Sequence, residues 1–166
     1  MSRSIQRAGF AGAALLVMLF APTFASAEIG SDPKNNGRAN RIVGIWDVDV
    51  AVGPCGGMAG PPFQALHMYA QGGTGQVVPS SNPAANSAHL MVWEHLGGNH
   101  YRAAMKFYRY DLATGAAIGY NIITNDVTIS DDGNEYAGSG VAEFYAMDDT
   151  FQGQVCPQFA GTRFSG

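Results

Sequence analysis

From Arg41 onward, apolar and polar side chains alternate along the chain with a period of two. Ile42, Gly44, Trp46, Val48, Val50 and Val52 fall on one face of an extended segment, and Asp47 and Asp49 fall on the other. Successive side chains of a strand point to opposite faces, so this is a strand with one face buried and one in water. The run ends at Gly53-Pro54, and the Gly- and Pro-rich stretch to Pro62 reads as a loop. Seven further extended runs follow, over 63–70, 76–78, 89–96, 100–110, 117–130, 135–145 and 151–164. Most are separated by short turn signals such as Gly72-Gly73, Gly97-Gly98-Asn99, Asp111 to Gly115 and Asp131-Asp132-Gly133-Asn134. The sixth run is expected to bend near Asn125-Asp126. No stretch combines a helical period with caps.

Eight strands joined by hairpin turns predict an all-β fold built from one antiparallel sheet. An open sheet of that length leaves two exposed edges, and closure into an eight-stranded up-and-down barrel removes both. The two cysteines, Cys55 just past the first strand and Cys156 in the last, are neighbours only if the sheet closes or folds back as a sandwich. A bridge between them is the expectation in an oxidising compartment, with two free thiols as the alternative.

An export signal supplies that compartment. Arg3 and Arg7 precede an apolar run over 9–20, Pro22 ends it, and Ala25-Ser26-Ala27 is a small-x-small cleavage site. The run is short of the roughly 20 residues a membrane helix needs, which disfavours an uncleaved anchor. The expected organisation is a signal peptide over 1–27, a polar leader or short cap over 28–40 and the barrel domain over 41–166. The protein is then exported, to the periplasm or outside the cell, with no integral membrane segment after cleavage. The net charge of −4, with no basic block, gives no electrostatic footprint for nucleic acid.

Gly44-Ile45-Trp46 at the start of the first strand and Thr162-Arg163-Phe164 at the end of the last resemble the lipocalin/calycin pattern, including the small exported lipocalin-like proteins of bacteria. The resemblance implies that Arg163 packs across the ring of Trp46 and closes the barrel floor.

Few residues offer chemistry. His67 and Tyr69 share a face of the second strand and are the candidates for acid–base work, with Glu94 as the alternative partner of His67, or for haem ligation by the His–Tyr pair. His89 and His95 share parity with Met91 and Trp93 on the fourth strand but lie about 20 Å apart, too far to share a metal. They read as strand-end histidines near solvent. The segment 131–135 reads as a hairpin turn, since it lacks the spacing of a calcium loop. No metal site and no cofactor are expected.

The leading expectation is therefore a barrel that encloses a small hydrophobic molecule. The inward candidates for its pocket are Trp46, Val48, Val50, Trp93, Tyr101, Met105 and Phe107, with His67 and Tyr69 as polar fixers. The loops over 53–62 and 79–87 open at one end and would form the rim of the mouth. Alternatives are an isomerase or cyclase of an apolar substrate, a structural or inhibitory barrel filled by its own side chains, and an outer-membrane barrel.

Overall fold

In the computed structural model, which describes residues 36–165, the eight runs form eight antiparallel strands: β1 (Gly44–Gly53), β2 (Phe63–Ala70), β3 (Thr74–Pro79), β4 (His89–Gly97), β5 (His100–Tyr110), β6 (Ala117–Ile129), β7 (Glu135–Tyr145) and β8 (Phe151–Arg163). Each strand pairs with the next, and β8 pairs back onto β1 through Trp46↔Arg163, Val50↔Phe159 and Gly53↔Cys156. The sheet is thus a closed up-and-down barrel, and Cys55 is bridged to Cys156 with their Cα atoms 4.8 Å apart. The proposed signal peptide and most of the leader lie outside the described residues.

Three details differ from the sequence pattern. β1 starts at Gly44 because the preceding residues turn, with Arg41 N donating to Arg38 O and Val43 N to Asn40 O. β3 is longer than 76–78, its ends held by pairing with β2 and β4. β6 keeps an unbroken register through Asn125 and Asp126, and its irregularity falls at Ile118, between Arg109↔Gly119 and Tyr110↔Ala117. Helical structure among the described residues amounts to α1 (Asn36–Ala39) and a short 3₁₀ turn (Pro83–Ala85), whose first free N–H, at Ala84, is capped by Asn82 Oδ1 at 3.0 Å.

The two ends of the barrel differ. At one end the segment before β1 folds across the opening, and the Tyr101 hydroxyl donates to the carbonyl of Arg38. Trp46 Nε1 donates to Ile42 O at 2.8 Å. The Arg163 guanidinium lies 4.3 Å from the centre of the Trp46 ring and donates to three carbonyls: Val43 at 2.9 Å, Arg41 at 2.5 Å and Gly133 at 3.1 Å. Inward from this floor, Trp46, Tyr69, Tyr101, Tyr136, Ile129, Val48 and Val127 are completely buried. Large apolar side chains of this kind contribute about 1.5–3 kcal/mol each. At the other end the strands are joined by the longer loops, and the disulfide pins the β1–β2 loop to β8. The outer face is mixed: Asp47, Asp49, Glu94, Arg102, Lys106 and Asp126 alternate with exposed Leu66, Val78, Leu90 and Val92.

Candidate functional site

The half of the barrel away from the Trp46–Arg163 floor is hollow. It encloses a cavity of about 320 Å³, within the range of small-molecule sites. Most of its wall is apolar: Val50, Phe63, Ala65, Val77, Met105, Phe107, Ile123, Ala142, Phe144 and Phe159. The polar contributors are His67, His89, Arg109, Asn121 and Asn125, with Ser81 and Asn86 from the β3–β4 loop. That loop is held against the mouth by an isolated bridge between Asn86 and Arg109 and by Ser87 N donating to Tyr108 O at 2.9 Å.

The barrel places the expected pocket residues in two groups. Val50, His67, Met105 and Phe107 line the cavity. Trp46, Val48, Tyr69, Trp93 and Tyr101 face inward but belong to the filled half and do not line it. Alternation along a strand reports which face is inside, not how far toward the floor a residue sits. Tyr69, Trp93 and Tyr101 lie where β2, β4 and β5 approach the closed end, and their rings pack edge to face on one another.

The acid–base candidates do not converge. Glu94 is on the outer face of β4, opposite Arg102 of β5. His67 and Tyr69 both point inward, but Tyr136 of β7 stands between them. Its hydroxyl is 2.8 Å from His67 Nδ1 and 2.8 Å from the Tyr69 hydroxyl. The chain has one arrangement in which neither hydroxyl proton is stranded. Tyr69 donates to Tyr136, and Tyr136 donates to His67 Nδ1. Nδ1 is then the acceptor and Nε2 carries the proton, so the imidazole presents an N–H donor to the cavity. Burial, and secondarily the charge His89 would carry, push the His67 pKa down to about 4, so the ring is neutral at ordinary pH. Burial raises Tyr69 and Tyr136 well above the usual tyrosine range, so both hydroxyls stay protonated.

His89 corrects the expectation of a solvent-facing strand end. It is buried in the cavity wall and stacks on Phe107, its cross-strand neighbour, with ring centres 3.6 Å apart and planes at 10°. Burial lowers its pKa to about 4. His95 points in at the closed end, where Nε2 meets Gly98 O at 3.0 Å. His67 and His89 share one cross-strand row through Val77, two strand spacings or about 10 Å apart. Among the described residues no three His, Cys, Asp or Glu side chains converge as metal ligands.

Arg109, Asn121, Asn125, Ala142, Phe144 and Phe159 were not singled out by the sequence pattern. Arg109 continues the parity of Tyr101, Met105 and Phe107 by one step, so it was readable as inward. β6 was not: apolar residues occur on both parities, with Tyr120 and Ile122 against Ile123, Val127 and Ile129, so Asn121 and Asn125 carried no inward mark.

These features define the class of the molecule: a closed eight-stranded antiparallel barrel, sealed and filled at one end and hollow at the other. No protein-family model, no curated protein and no solved structure matches the chain.

Proposed function

We propose that this is an exported, lipocalin-like barrel that binds one small, mostly apolar molecule, for transport, storage or sequestration. The observation that carries the reading is the 320 Å³ cavity, set above a floor in which Arg163 covers Trp46. An apolar guest would be held chiefly by burial, at about 25 cal/mol per Å² before the costs of association. The lipocalin likeness is supported by the strand order and by the Gly44–Trp46–Arg163 arrangement at the floor. Export is supported by the disulfide, which persists in oxidising compartments, and by the pattern over residues 1–27. The filled-barrel alternative is disfavoured by the cavity, and the isomerase or cyclase alternative loses Glu94 to the outer face.

The test is titration with a neutral apolar fluorophore, N-phenyl-1-naphthylamine, followed by its own emission and by quenching of tryptophan emission. One probe per chain is expected. No binding by protein that remains folded overturns the reading in favour of a structural or inhibitory barrel.

A further inference from the structure

The cavity carries one permanent charge and no counter-charge. Arg109 is its cation, and no Asp or Glu lines it. Among the described residues the one ion pair, Arg102 with Asp126, lies on the outer face. Arg109 Nη2 donates to two neutral oxygens, Tyr145 O at 3.1 Å and Gln152 Oε1 at 2.7 Å, and the guanidinium lies 5.5 Å from the centre of the Phe144 ring. Its Nε is buried without a partner.

Three other cavity side chains share that condition. His89, Asn121 and Asn125 are 7%, 6% and 3% exposed, and each has a buried polar atom with no partner: His89 Nε2 and the amide oxygens of Asn121 and Asn125, the last two being acceptors that a water or a guest hydroxyl would satisfy. With Arg109 these are all the buried, unpartnered side-chain groups among the described residues, and all four line the one cavity. Folded proteins pair nearly all such groups, so a cluster of exceptions on one cavity wall marks a place for a polar guest. A partly buried cation without a counter-ion sharpens the requirement: an incoming anion relieves a cost the protein carries alone.

The register orders the groups. Arg109 stands at the mouth end of β5, opposite Gly119. One inward step along β6 is Asn121, flanked by Phe107 on β5 and Phe144 on β7. The next row is Met105, Ile123 and Ala142, which is wholly apolar.

We infer that the guest is an amphipathic monocarboxylate with a compact apolar body, its carboxylate held at the mouth by Arg109 and its body lying against Phe107, Phe144 and Phe159. The guanidinium offers N–H donors matched to a carboxylate. A single cation suits a single negative charge; a phosphate monoester, at about −1.5 to −2, would leave charge unmatched in an apolar wall. The inference rests on the cavity-binding reading above and narrows it to one chemical class.

The test compares two probes with the same body, 2-naphthoate and the neutral 2-naphthalenemethanol, by calorimetry on the folded protein. Naphthoate is expected to bind about tenfold tighter or more. Because the chain's net charge is −4, long-range electrostatics oppose that preference, so it must arise inside the cavity. In Arg109→Gln the ratio of the two affinities should fall to about one. In Arg102→Gln, which removes the same charge from the outer face of the same strand, the ratio should persist. Equal affinities in the unaltered protein, or a ratio that survives Arg109→Gln, overturn the carboxylate inference and leave the cavity reading standing. If neither probe binds, both fail. Should Arg109→Gln not fold, the Nε–H resonance of Arg109 in ¹⁵N-labelled unaltered protein decides instead: it must shift with naphthoate and not with the alcohol.

Discussion

A Cβ atom placed on Gly44 would lie 2.7 Å from Nη1 of Arg163. Gly44 also has φ of +136°, a backbone conformation that side chains strongly disfavour. The glycine therefore leaves room for the guanidinium to reach the carbonyls of Arg41 and Val43 while it covers Trp46. Gly44→Ala is expected to destabilise the barrel by ~1–3 kcal/mol, and Arg163→Ala by a similar amount through lost packing as well as lost charge. Denaturant melts of both single variants and of the pair check this. The two sites share one contact, so the double variant should lose less than the sum.

The disulfide closes a long loop, since Cys55 and Cys156 are 101 residues apart in sequence. Removing it with Cys156→Ser should cost ~2–5 kcal/mol. Peptide mapping without reductant should recover one linked pair, and two alkylatable thiols in denatured, unreduced protein would count against the bridge.

Tyr136→Phe should be more harmful than Tyr69→Phe. Without its hydroxyl, Tyr136 strands both the Tyr69 proton and His67 Nδ1, whereas loss of the Tyr69 hydroxyl strands no proton. The expected gap is about 1 kcal/mol or more. Equal losses in urea melts would reverse the assigned direction of the chain of hydrogen bonds.

Stability should fall as the pH drops from about 6.5 to about 4. The folded-state pKa values of His67 and His89 are both lowered to about 4 by burial, so the unfolded chain takes up protons first and acid favours unfolding. For His67 the loss approaches ~3 kcal/mol by the lower end of that range. The exposed carboxyls of Asp111, Asp132 and Asp148 are held below the usual carboxylate range by hydrogen bonds from Thr114, Ser130 and Thr150 respectively, so they add their loss only at still lower pH. Urea midpoints at neutral pH, pH 5.5 and pH 4.5 measure the slope, and a flat result removes the two buried neutral imidazoles.

Met105 lines the cavity and lies between Met91 and Ile123 in its cross-strand row. Met105→Ala should enlarge the space, alter N-phenyl-1-naphthylamine affinity and cost ~2–5 kcal/mol without abolishing the fold. Tyr101→Phe, at the filled end, should leave probe affinity unchanged.

The architecture was legible in the sequence because its signal is local. A strand with one wet face must alternate, as Trp46, Val48 and Val50 do against Asp47 and Asp49, and a tight turn must carry residues such as Gly97-Gly98 that tolerate its backbone. Eight such runs with no helical stretch left closure as the way to remove two edges, and the positions of Cys55 and Cys156 agreed with it. The contact of Arg163 with Trp46 was expected from a resemblance at the two chain ends, and only the pairing of β1 with β8 brings them together. Depth along the barrel axis has no local signature. Val48 and Val50 are two residues apart on one face, yet Val48 belongs to the filled half and Val50 to the cavity. That depends on how strands remote in sequence are staggered and on what their side chains fill. For the same reason the tertiary structure alone placed Tyr136 between His67 and Tyr69, buried His89 against Phe107 and gathered Arg109, Asn121 and Asn125 on one wall. The period of two decides inside from outside, and the closure of the sheet decides which inside residues meet.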